Sequence, residues 1–118
     1  MVWSCDLTRP ELLATPFMTA QAAAALDLPV KMLFTNQAAA WLLREHSERL
    51  TGFGDGRWSV GRHLDATVEL GVEIRACSQA LSALGATPAA LAPQCAGVEG
   101  MVTFVEQASA PGWRLVVF

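Results

Sequence analysis

Apolar and polar positions alternate from Val72 to Ala76. They then recur at helical spacing at Ala80, Leu81 and Leu84, so GVEIRACSQALSALG, residues 71–85, predicts a strand ending at Cys77 and a helix starting directly after it. Gly85 supplies the stop. Upstream, MVWSCD reads as a short strand. PVKMLFTN reads as a second, because Val30, Met32, Leu33 and Phe34 make an almost continuous apolar run of the kind buried on both faces. Between them Thr8 and Glu11 have capping-box spacing, but Pro16 divides the segment. Thr15 then serves as a fresh N-cap for a helix from about Pro16 to Ala25, whose alanine-rich AQAAAAL offers a thin packing surface. Asn36 can cap a further helix, QAAAWLLREHSERL, with Glu45 and Arg49 as an i,i+4 pair. HLDATVEL predicts the helix that leads through Gly71 into the strand ending at Cys77. Thr87 and Pro88 begin a short helix, PAALAP, and CAGVEG is a connection or a fourth strand. MVTFVEQASA has helical length despite its β-branched residues, and WRLVVF predicts a final strand.

Strands separated by helical segments imply a parallel sheet, since parallel neighbours need crossover connections. The expected class is α/β, a three-layer arrangement of about five strands with helices on both faces. Glu73 and Arg75 conflict with a fully covered central strand, and either a partly uncovered face or a subunit contact removes the conflict.

Composition sets the context. At 118 residues and 53% hydrophobic, the chain fits one domain, residues 1–118, with a core that needs no staple. A net charge of −3, with Lys31 the sole lysine, leaves no basic stripe for a phosphate backbone and argues against nucleic acid. No apolar run approaches the ~20 residues that span a bilayer, and the N-terminus lacks the pattern of a cleaved leader, so the expected location is cytoplasmic, without a membrane partner. Three cysteines, Cys5, Cys77 and Cys95, lack CxxC spacing and indicate neither a disulfide scaffold nor a zinc site. His46 and His63 lie in polar sequence and read as solvated side chains. TGFGDGRWSVGR carries four glycines and predicts a mobile loop. It lacks the lysine and Ser/Thr of a phosphate-binding loop, and Trp58 within it reads as a lid anchor or as a plug that holds the loop down.

Cys77 carries the candidate chemistry. A strand-to-helix corner presents unpaired helix N–H groups, and the helix dipole favours a thiolate there. The backbone donors are Ser78, Gln79 and Ala80. The alternative is a buried cysteine acting as a small hydrophobe. Cys5 also falls at the carboxyl end of a strand. In an open sheet of order 2-1-3-4-5 the strands ending at Cys5 and Cys77 are neighbours, so the two sulfurs could form a resolving pair; otherwise Cys5 is a packing residue. Cys95 sits in a loop with nothing nearby to activate it.

The succession of a first strand, an alanine-rich helix, VKMLFTNQAAAWLL, GVEIRACSQALSALG, AGVEGMVTFVEQA and a final RLVVF resembles the DsrE/DsrF-like family of small sulfur-relay proteins. The resemblance spans essentially the whole chain. Its strongest element is a strand delivering a cysteine, with a helix-ending glycine eight residues later, here Cys77 and Gly85. It implies a flavodoxin-like domain assembled into trimers or hexamers, in which Cys77 accepts sulfur as a persulfide and passes it on. Sulfur donor and acceptor proteins would be the partners, and no metal or organic cofactor is called for. In that reading Ser78 and Gln79 support the charged sulfur, Cys5 is a secondary candidate and the glycine-rich loop gates access. Two other readings stand beside it: a noncatalytic oligomeric interaction module, and a small-ligand-binding regulator using the crevice at the strand ends.

Overall fold

The computed structural model describes residues 1–3 and 7–118. Its sheet is built on the apolar run that the sequence marks. β2 (Lys31–Phe34) buries Met32, Leu33 and Phe34 completely, and each such side chain contributes about 1.5–3 kcal/mol on leaving water. β1 (Val2–Trp3) pairs with β2, β2 with β3 (Glu73–Cys77), and β3 with β4 (Gly97–Glu99), all in parallel, so the strands lie in chain order.

The period of two sorts the strand residues onto two faces. Met32, Phe34, Ile74 and Ala76 join Leu13, Phe17 and Ala20 of the first helical region and Val60 and Leu64 of the next. These come from α1 (Ala14–Ala25) and α2 (Val60–Glu69) and their approaches. On the opposite face Val2, Leu33 and Cys77 meet Ala80 of α3 (Ser78–Ala83) and Phe104 of α4 (Met101–Ala108). Helices therefore cover both faces of a parallel sheet, in keeping with a flavodoxin-like α/β architecture.

Two expectations about the sheet are corrected. Among the described residues the sheet has four strands rather than about five, and only three of them run to three residues or more. Among the described residues WRLVVF contributes a single parallel bridge, Val117 to Val2, and Leu115, Val116 and Val117 are exposed. A β-branched run makes a strand only where neighbours cover it, and the described residues leave this one largely exposed. The order also differs from 2-1-3-4-5, because β2 lies between β1 and β3. The strand that leads toward Cys5 and the strand ending at Cys77 are therefore not neighbours, and Cys5 itself lies outside the described residues.

QAAAWLLREHSERL is not a continuous helix. Asn36–Leu42 and Arg44–His46 are 3-10 turns, broken at Leu43, whose ψ of 135° is extended. Tertiary pairing explains the break: Leu43 bridges Leu91 in antiparallel fashion, and the Ala92 N–H donates to the Leu42 carbonyl at 2.7 Å. Asn36 takes φ +52°, a left-handed conformation that asparagine tolerates, and Thr35 holds the N-cap position instead. Arg49 does not pair with Glu45. It donates to the Leu7 carbonyl at 2.9 Å and lies over the Trp41 ring. α1 begins at Ala14 rather than after Thr15, and Pro16 fits inside its first turn, where N–H groups have no helical acceptor anyway.

Glu73 and Arg75 lie on the α4 side of β3, half-exposed and bonded to each other, with Arg75 Nε 2.6 Å from Glu73 Oε1. A partly uncovered face accounts for their charge.

Candidate functional site

β3 ends at Cys77, which is extended (φ −66°, ψ 127°) and stands at the N-cap position of α3. Sequence reasoning placed the strand-to-helix corner here, and the structure has it at this residue. Ser78 and Gln79 are exposed at the start of α3, where their N–H groups have no acceptor within the helix. Gly85 ends this segment at φ +67°, with the Ala86 N–H donating back to the Leu81 carbonyl.

The thiol is enclosed. Cys77 is 1% exposed, packed among Val2, Leu33, Ala39, Ala80 and Phe104, with Met101 at the edge of the cluster. Its surroundings thus come from β1, β2, the turns at Asn36–Leu42 and the helices α3 and α4. The glycine-rich loop is not among them. Trp58 and Phe53 of that loop pack edge to face and both lean on His63, which stacks on Phe17 with ring centroids 5.5 Å apart, all on the α1 and α2 side. Trp58 is therefore a plug rather than a lid over Cys77.

His63 corrects the expectation of a solvated side chain. It is buried, and Thr51 Oγ1 lies 3.1 Å from its Nε2 while also donating to the Trp58 carbonyl. The hydroxyl proton is thereby committed, so the ring donates to Thr51. Burial, with the Arg62 charge beside it, holds the imidazole below its ordinary pKa. Its helical spacing with Val60, Leu64 and Thr67 was the available signal, since all four share the buried face of α2.

The surroundings of Cys77 include a charged pair that sequence reasoning missed. Glu99, the register partner of Cys77 on β4, accepts from Lys31 Nζ at 2.6 Å, and the same ammonium donates to Gln107 Oε1 of α4 at 2.8 Å. Both ionic side chains are nearly buried, and Glu99 Oε2 has no hydrogen-bond partner among the described residues. The one usable signal was a lone lysine at the mouth of an apolar strand, where a buried charge demands a partner.

Cys95 lies just before β4. Its Sγ donates to the Gly97 carbonyl at 3.3 Å, and burial pushes its thiol pKa up, which suppresses the nucleophilic form. Among the described residues both cysteines are free, and no group of three or more His, Cys, Asp or Glu is placed to hold a metal ion. Nor is any described helix long and apolar enough to cross a membrane.

No protein-family model and no curated protein matches the sequence. Solved structures do match. The chain superposes on the YchN protein from E. coli with a TM-score of 0.76 at 16% identity, covering 99% of this chain and 96% of that one. It superposes on MTH1491 from Methanobacterium thermoautotrophicum, described as a protein of unknown function, with a TM-score of 0.66 at 18% identity, covering 99% and 94%. At such identities the likeness is one of fold. It supports the DsrE/DsrF-like resemblance at that level.

Proposed function

We propose that the chain is a sulfur carrier of the DsrE/DsrF-like type, holding sulfane sulfur on Cys77. The observation that carries this reading is the position of Cys77 at the carboxyl end of an interior parallel strand, at the turn into α3, beside helix N–H groups that have no acceptor within the helix. In the loading step the Cys77 thiolate attacks the outer sulfur of a donor persulfide. A new S–S bond forms at Cys77, the donor's S–S bond breaks, and the donor leaves as a thiolate that takes up the proton Cys77 gave up. No net oxidation occurs and no metal takes part. The N–H groups of Ser78, Gln79 and Ala80, at the start of α3, are the candidate backbone donors for the charged sulfur, and the cluster around Cys77 must open for a donor to enter.

The burial of Cys77 favours a second reading, a noncatalytic module in which this residue only packs. Assembly with further copies, as trimer or hexamer, fits both readings, since Val102 and Val117 are exposed apolar side chains. The deciding experiment is incubation with a cysteine desulfurase and cysteine, followed by intact and peptide masses. A gain of about 32 Da on Cys77, absent in Cys77→Ser, supports the carrier. No gain, together with a Cys77 inert to alkylation in the folded chain, favours the packing module.

A further inference from the structure

A groove of about 520 Å³ opens at the amino-terminal ends of the strands, away from the carboxyl end where Cys77 lies. Its volume falls within the roughly 300–1,000 Å³ typical of small-ligand sites. Leu28 and Val30, before β2, form one wall. Phe104 on α4 forms another, and Trp113 and Leu115 of the segment after α4 complete it. These walls are apolar, so an occupant gains by burying hydrocarbon rather than by hydrogen bonding.

The charge is one-sided. Although acids outnumber bases in the chain, no Asp or Glu is among the described lining residues, whereas Lys31 and Arg114 both are. Lys31 is already neutralised, its ammonium held by Glu99 and Gln107. Arg114 is exposed and makes no ion pair among the described residues, which leaves one guanidinium at an apolar groove. A single planar fork of N–H donors suits a carboxylate, which it binds with two parallel hydrogen bonds.

We propose that this groove binds an amphipathic monoanion, an aliphatic carboxylate whose chain lies between Val30, Phe104 and Trp113 and whose head group pairs with Arg114. The site is independent of the sulfur-carrier reading and shares no chemistry with it. Decanoate, used below its micellar range, is the probe, titrated calorimetrically into the intact chain beside decanol, with the oligomeric state followed by sedimentation. Saturable one-to-one binding is expected, weakened about tenfold or more both by Arg114→Glu and by replacing decanoate with decanol. Ala108→Trp, which places an indole in the groove, abolishes binding if its thermal midpoint shows that it still folds. Equal binding of decanol and decanoate overturns the proposal, as does affinity unchanged by Arg114→Glu. Absence of binding up to about 1 mM also overturns it. If, in that case, Arg114→Glu also dissociates an oligomer, the groove belongs to a second copy of the chain.

Discussion

Lys31 and Glu99, at opposite ends of β2 and β4, meet across the intervening strand with Nζ 2.6 Å from Oε1, under the cover of α4. The pair ties together the face of the sheet that carries Cys77. Gln107 shares the ammonium, so α4 is fastened by a polar contact as well as by Phe104.

Lys31→Met leaves the Glu99 carboxylate buried without its cation. The expected cost is about 3–5 kcal/mol, read as a lowered urea midpoint, because an uncompensated buried charge costs more than the pair yields. Lys31→Met combined with Glu99→Leu is expected to recover most of that loss. A single substitution that leaves the midpoint unchanged would show that the pair is solvated.

Phe104 and Cys77 belong to one buried cluster, so removing the ring should loosen the enclosure of the thiol. Phe104→Ala costs about 3–5 kcal/mol through cavity formation, and native-state alkylation of Cys77 should accelerate about tenfold or more. The rate is followed by mass in a Cys95→Ser background. A rate that stays flat at low urea identifies local opening of α4, whereas one that tracks global unfolding assigns the cover to the whole core.

His63 sets a pH dependence. Its native pKa lies below the ordinary 6.5 because burial, with the Arg62 charge, disfavours the charged ring. The unfolded chain therefore binds the proton more readily than the native one. Stability is full above the ordinary value, falls as the pH drops below it, and levels off only beneath the depressed native value. Urea midpoints at mildly acid and neutral pH should show this slope, and His63→Gln should flatten it. An unchanged slope in the variant would assign the dependence to other groups.

Much of the fold was legible in local pattern. The apolar run before Phe34, the alternation ending at Cys77 and the glycine at 85 mark their elements correctly, since each signal depends only on neighbours in the chain. What failed depended on distant partners. Leu43 leaves its helix because Leu91 pairs with it, and among the described residues WRLVVF makes one bridge and stays largely exposed. His63 looks solvated beside Arg62 and Asp65 until Phe17, from a separate helix, stacks on it.

The sequence by itself determined the α/β class, the parallel succession of strands and the corner at Cys77, because periodicity and turn chemistry are local. Tertiary structure alone decided the strand order, the burial of Cys77 in a cluster with Phe104, the Lys31–Glu99 pair and the groove at Arg114. Each of these joins residues far apart in the chain, and which pairs meet is set by the packing of whole faces.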